Sequence, residues 1–293
     1  MVGVGPAGHQ LGRRAAALST RPPQLHVRLR ARDAVMVSFF LNGFGFATWL
    51  ARIPEARREL SLSNGELGVL LLAIAAGSVL TLPTTGALIN RFGAALVVRA
   101  GVVADVVGLA VVAVGAGVLG DLTVTAVGLF LYGLGVGVWD VGMNVEGAAV
   151  ERTLGRSIMP RFHAAFSLGT VAGAGLGALT VGLGVDLVVH LGAVAVVVLV
   201  VAQATTGDFL PATAPSAEVG DAVPRRSAWA AWLEPRTLVI GVMVFALALT
   251  EGTANDWLAL ALIDGHRVEP WVGVSGFALF VGAMTVGRLV GPV

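Results

Sequence analysis

Residues 122–147 read LTVTAVGLFLYGLGVGVWDVGMNVEG. From Leu122 to Trp139 the stretch carries no charge, and about 20 such residues in a helix cross the hydrocarbon core of a bilayer. The run then admits Asp140, Asn144 and Glu146. A charged side chain at bilayer depth costs about 2.5–3.5 kcal/mol on insertion scales, so such groups face a bundle interior or a watery cavity and mark function.

The rest of the chain has the same character. Of 293 residues, 56% are hydrophobic and 13% charged, with a mean hydropathy of +0.85. Soluble domains carry about 25% charged residues, so this chain cannot cover a water-facing surface and reads as an all-α, polytopic membrane helix bundle. Its 40 glycines suit helices that pack backbone against backbone. The absence of Cys excludes disulfides, thiolate metal sites and a cysteine nucleophile. All 19 basic residues are Arg, which we read as a coding bias; the net charge of +1 says little about partners.

Apolar runs predict eight spans, at 34–52, 66–89, 97–119, 122–149, 161–184, 187–206, 238–262 and 271–291. Ser63 and Glu66 form a capping-box pattern before the second span. Pro160 and Pro270 sit where a first-turn proline is tolerated, and Pro83 predicts a kink. Residues 1–33 read as a polar tail with six arginines. The run after them is too long for a signal-peptide core, so it is expected to be an uncleaved helix.

Arginine placement sets the expected orientation. With the N-terminus inside, the inner segments hold the six tail arginines and Arg91, Arg99, Arg152, Arg156, Arg161, Arg225, Arg226 and Arg236, while the outer loops hold Arg52, Arg57, Arg58 and Arg267. The positive-inside rule then places both termini in the cytoplasm. The stretch 207–237 is the one long polar interruption after the tail and reads as a cytoplasmic linker, with Trp229 and Trp232 expected at the membrane interface. It separates a six-helix half, 34–206, from two helices in 238–293. Trp49-Leu50-Ala51 recurs as Trp257-Leu258-Ala259, and Asn42-Gly43 has a rough counterpart in Glu251-Gly252, at an offset of about 208 residues, the mark of repeated halves.

Between the second and third spans stands Gly86-Ala-Leu-Ile-Asn90-Arg91-Phe-Gly93. With the helix layout and central linker, this resembles the major facilitator superfamily, whose loop signature is G-x-x-x-D-R-x-G. Gly86, Arg91 and Gly93 match it; Asn90 replaces the acid, and Ala94-Ala95 the trailing basic pair. Within the superfamily FFLNGFGFATWL, DVGMNVEG, MPRFHAAFSLGT and EGTANDWLALAL are similar to the fucose-permease-like and uncharacterised inner-membrane branch. The resemblance implies a fold of twelve helices, of which about eight are present, and a gating role for the loop signature. At an offset of 208 the second signature would begin one residue past Val293, so the sequence suggests a C-terminally truncated chain.

Gly133, Gly137, Asp140, Asn144 and Gly147 follow helical spacing and share a face, expected to line a cavity or a neighbouring helix. Asp140 lies about 18 Å inside Arg152 at 1.5 Å per residue. Desolvation favours the neutral form of a carboxyl group, and a group that gains and loses a proton suits proton-coupled transport. The resemblance supports this, because symporters of the fucose-permease type carry an acid at this position and an Asn four residues on. Their acid in the first span is replaced here by Asn42. The alternative for Asp140 is a structural pair with Arg161 or Arg99. Glu146 is expected to pair with a loop arginine such as Arg152, and Asp105 to hydrogen-bond a neighbouring helix. Asp256 reads as a gate or a solvated end. His163 reads as a hydrogen-bonding residue at the cytoplasmic end. Gly169, Gly173 and Gly177 read as a packing ridge, and Phe39, Phe40, Phe44, Phe46 and Trp49 mostly as packing or lipid-facing groups.

The expected function is therefore secondary transport of a small polar, sugar-like solute by alternating access. Asp140 and Glu251 would handle protons, and Asn42, Asn144 and Asn255 would contact solute. Drug efflux is the rival within the class. It is disfavoured because the fourth span has no Arg before Arg152 and the glycine-rich fifth lacks a proline after Pro160. A fragment without transport activity is the rival outside it. No phosphate loop, zinc spacing or serine elbow stands in the sequence, and its five histidines are scattered. We therefore expect no enzyme activity, no cofactor, no metal and no nucleic-acid partner. The expected setting is the plasma membrane, as a monomer if complete.

Overall fold

The computed structural model describes residues 24–211 and 234–290. Trp229 and Trp232, with most of the linker, lie outside the described residues.

Nine α-helices are described: α1 (Leu25–Leu50), α2 (Ile53–Glu59), α3 (Asn64–Phe92), α4 (Ala94–Val114), α5 (Leu122–Leu154), α6 (Met159–Gly182), α7 (Leu187–Thr205), α8 (Pro235–His266) and α9 (Pro270–Val290). A π-helical turn, Gly115–Leu119, extends α4, and a 3₁₀ turn, Thr206–Asp208, extends α7. All but α2 are long and apolar enough to cross a membrane.

Local chemistry explains the boundaries. Glu66 N–H donates to Ser63 Oγ (3.3 Å) while Ser63 N–H donates to the Glu66 carboxylate (2.8 Å), the expected capping box of α3. Asp121 and Asp186 cap α5 and α7 by accepting from Val124 and Val188 N–H. The chain passes from α3 to α4 through Gly93 alone, at φ 82° and ψ 155°, a conformation that a side chain would strain. The α3 helix runs on through Pro83 to Phe92. The first helix begins at Leu25, nine residues before the expected span. Its start is docked inside the protein, with Ala31 buried and Arg28 donating to the Thr153 carbonyl (2.8 Å).

Spatial order differs from chain order. Helix α5 packs between α3 and α4, its predecessors in the chain, whereas α1 packs between α6 and α7, so the second group joins the first helix to two later ones. Contacts of α1 with α5 and of α4 with α7 join the groups. Glycines set the distances: a Cβ on Gly133 would overlap the Ile74 carbonyl of α3, and one on Gly135 would overlap the Asp105 backbone of α4. On the other side, Gly169 and Gly173 of α6 meet the Phe40 and Phe44 carbonyls of α1, and Gly177 meets Ala51, forming the packing ridge. Apolar burial drives nothing between helices already in lipid, so such contact is where dispersion accumulates. Helix α9 packs on α6 and α8 on α9.

Helix α8 also departs from its proposed counterpart. At an offset of 208, Arg52-Ile53-Pro54 corresponds to Leu260-Ala261-Leu262. The chain turns at Ala51–Arg52 and restarts as α2 with Pro54 in its first turn, whereas α8 continues unbroken to His266.

Candidate functional site

Asp140 and Asn144 stand one turn apart on α5. Asn144 Nδ2 donates to the Asp140 main-chain carbonyl (2.9 Å) and to its Oδ1 (3.3 Å). Asp140 is exposed although Trp139 beside it is buried. His163 of α6 lies within electrostatic reach of Asp140. The imidazole is held edge-on to Phe39 (5.3 Å between centroids), which stacks on Phe162 (5.6 Å). Trp139 Nε1 donates to Ser38 Oγ (2.8 Å), fixing α1 against α5, and Asn42 lies buried one turn beyond Ser38. Asp140, Asn144 and His163 thus converge where α1, α5 and α6 meet, with Asn42 nearby on α1.

The shared face on α5 does not line one continuous cavity. Gly133 and Gly137 are covered by α3, through Ile74 and through Ser78 and Thr81, and Gly147 lies against Phe162 and Met159 of α6. The α3 backbone crosses Gly133 and Gly137 closely, whereas Gly147 is covered by side chains. Only Asp140 and Asn144 are left open between the two crossings.

Among the described residues, Glu146 and Asp105 lack the partners expected of them, and the alternative pairing of Asp140 does not form. Glu146 does not reach Arg152; it is buried, and its Oε1 accepts from the Leu210 N–H (2.6 Å), tying the start of the linker to α5. Asp140 pairs with neither Arg99 nor Arg161, because Arg99 is held at the end of α7 by Thr206 Oγ1 (2.9 Å) and the Gln203 carbonyl (3.4 Å). Arg161 makes no ion pair among the described residues. Asp105 is buried and makes no hydrogen bond among the described residues, and the Tyr132 hydroxyl is buried without a partner among them.

Helix α8 carries Glu251 and Asn255 one turn apart, both half-buried, followed by half-buried Asp256. It packs chiefly on α9 and reaches α3 where the Trp257 ring faces Gly68. The α5 and α8 candidates therefore stand on helices that do not pack closely together. Of the loop signature, Gly86, Asn90 and Arg91 are exposed at the end of α3, with the Arg91 guanidinium 5.2 Å from the Phe92 ring centroid.

A polar cluster unforeseen in the sequence closes the opposite end. Arg52 is 1% exposed. Its Nε donates to His190 Nδ1 (2.8 Å), one terminal nitrogen to the Val185 carbonyl (2.9 Å) and the other to Glu55. Nδ1 accepts, so the His190 ring is neutral with its proton on Nε2, which is buried without a partner among the described residues. Counting Arg52 as a loop charge hid this cluster; the signal was His190 within an apolar run, expensive at bilayer depth.

Beside the cluster opens a cavity of ≈ 520 Å³, walled by Arg52, Glu55, Arg57, Glu269 and Trp271 among others. At its rim, Arg57 of α2 donates to both Asp264 oxygens of α8 (2.5 and 2.8 Å) and to Asn64 (2.5 Å). The hydrogen bond with Asp264 pushes the Arg57 guanidinium above its ordinary range, against a smaller effect of burial. Arg57→Asp is expected to lower stability by no more than about 1 kcal/mol, because the pair is partly exposed. It should nonetheless raise labelling of a single cysteine placed in the cavity wall, and adding Asp264→Arg should reverse that. The chain has no Cys, so labelling has no background. Unchanged labelling would show that the pair does not hold the rim closed.

Over 257 residues the chain is 31% identical to an uncharacterized MFS-type transporter of Yersinia pestis, covering 87% of this chain and 63% of that protein. It is 30% identical over 262 residues to an uncharacterized transporter of Sinorhizobium fredii, covering 87% and 65%. A 28% identity over 258 residues relates it to the membrane protein MosC of Rhizobium meliloti, covering 88% and 60%. The chain spans less than two thirds of the length of these relatives. No family model matches it.

Proposed function

We propose that this chain, similar over 87% of its length to an MFS-type transporter, is a member of the major facilitator superfamily that serves secondary transport of a small polar, sugar-like solute coupled to protons. The observation that carries the proposal is Asp140: a carboxylate left open on a membrane helix whose adjoining faces are sealed by α3, α4 and α6, with Asn144 bonded to it and His163 within electrostatic reach. An acid at that depth is expensive unless it exchanges protons or binds a ligand. In this reading Asp140 carries the proton, while Asn144 and Asn42 offer amides to solute hydroxyls. Glu251 and Asn255 serve the same ends from α8, and alternating access moves the six-helix half against the helices after the linker.

The proposed orientation has both termini in the cytoplasm of a plasma-membrane protein. Arginine asymmetry supports it, and so does the state of the arginines on the other side. Arg52, Arg57 and Arg58 are each neutralised locally, by Glu55, by Asp264 and by Glu59.

The test is uptake of labelled monosaccharides into right-side-out vesicles, with and without an inward proton gradient. Asp140→Asn is expected to abolish gradient-driven accumulation while sparing exchange of solute across the membrane. Accumulation that survives the substitution would reject Asp140 as the coupling group; a chain that moves no sugar in either condition would reject the solute class.

A further inference from the structure

Two apolar grooves open on the flanks of the bundle. One, of ≈ 590 Å³, lies between α3 and α5 beside Val69, Leu70 and Leu122, and the polar group at its end is Glu66, which caps α3. The other, of ≈ 370 Å³, lies between α1 and α6, walled by Met36, Val37, Phe40, Ala164 and Leu168, and the group at its end is Arg161.

The α1–α6 groove is separate from the candidate transport site. Phe39 and His163 mark the sides of α1 and α6 that meet near α5. A helix turns about 100° per residue, so Phe40 and, five residues beyond His163, Leu168 point away from that junction. Leu168 is accordingly 53% exposed. Gly43, Gly169 and Gly173 close the helices against each other beyond Phe40, giving the groove a blind inner end.

Arg161 is exposed at the mouth, and its guanidinium makes neither an ion pair nor a hydrogen bond among the described residues. The nearest charges along α1 are Arg32 and Asp33, bonded to each other (2.8 Å), one turn before Met36. At the start of α6 the Glu151 carboxylate accepts from the Ile158 and Met159 N–H groups (2.7 Å each) and forms no ion pair with Arg161, so the mouth presents one guanidinium without an ion-pair partner among the described residues above an apolar slot. A guanidinium fork matches two oxygens of a phosphate, and an apolar slot takes hydrocarbon; one molecule offering both is a phospholipid. We propose that the α1–α6 groove binds an anionic phospholipid of the leaflet on the Arg161 side, its acyl chain along Phe40 and Leu168 and its phosphate on Arg161. The α3–α5 groove has the same apolar character with an acid at its end, and serves as the internal control.

The experiment takes the full chain in mild detergent and measures retention of phosphatidylglycerol and phosphatidylcholine by native mass spectrometry. Phosphatidylglycerol should be retained in preference to phosphatidylcholine. Arg161→Ala should reduce that retention on the order of five-fold, the factor one basic residue is worth at an anionic membrane surface. Arg161→Lys should keep only part of it, because the ammonium retains the charge but not the fork. Leu168→Trp should fill the slot and lose both lipids there, while Ala126→Trp in the control groove should leave phosphatidylglycerol retention unchanged. Equal retention of the two lipids, wild-type retention by both Arg161→Ala and Leu168→Trp, or an equal loss on Ala126→Trp would each overturn the assignment.

Discussion

Gly169→Ala is expected to destabilise the protein by about 3 kcal/mol, whereas Gly175→Ala, six residues along the same helix, is expected to be neutral or to stabilise by up to about 1 kcal/mol. The two positions differ in burial and in what a methyl group would meet. At Gly169 it lands on the Phe40 carbonyl and close to the Phe44 backbone nitrogen; at Gly175 nothing stands within 4 Å. A side chain in the way can rotate, but the backbone of α1 can yield only if the helix pair separates, and separation forfeits the dispersion contacts that hold the pair together. The same motion would displace Phe39 from Phe162 and His163, and with them the wall of the Asp140 site. Thermal unfolding in a mild detergent compares the two variants directly. A Gly169→Ala protein as stable as its Gly175→Ala counterpart would mean that α1 and α6 do not cross at this distance.

Arg52→Ala is expected to cost about 3–5 kcal/mol, the penalty for removing one member of a buried ionic network. Three acceptors depend on this guanidinium: His190 Nδ1, the Val185 carbonyl and Glu55. Glu55 keeps partial access to water and a 3.8 Å approach from Arg58, which places the cost toward the lower end. Arg52→Lys should recover only part of the loss, because an ammonium on a flexible stem does not reproduce a planar fork serving three directions. The triple change Arg52→Met, Glu55→Ala, His190→Leu should recover most of it, because it removes the polar groups along with their partner. If the triple variant were as unstable as Arg52→Ala, the network would be holding the α1–α2 turn through its geometry rather than through charge satisfaction. Unfolding midpoints of the three variants distinguish these outcomes.

Much of the fold was legible because the bilayer imposes length and polarity on each segment separately. The eight spans, the capping box at Ser63 and Glu66 and the first-turn prolines of α6 and α9 follow from local composition, and each stands in the structure. Helix ends were less legible. The first helix begins at Leu25 because Ala31 and Arg28 dock on the bundle, a tertiary contact that hydropathy does not register. Glu146 illustrates the same limit: its neighbours in sequence suggested Arg152, and its partner is a backbone amide 64 residues away. Arg52 looked like a loop charge because it follows an apolar run, and the carbonyl and imidazole that enclose it come from the α6–α7 turn and from α7.

The sequence by itself determined that this is a membrane bundle of helices, that it holds eight apolar spans, and that Asp140 and Asn144 share a turn, since transfer of each segment into lipid depends on that segment alone. Only the tertiary structure decided which helices meet, with α5 between α3 and α4 and α1 between α6 and α7. It also decided that the glycines beside Asp140 are crossing points while Asp140 itself is left open. Those outcomes depend on backbone-to-backbone distance between segments far apart in the chain, and every glycine looks alike until the helix that crosses it is in place.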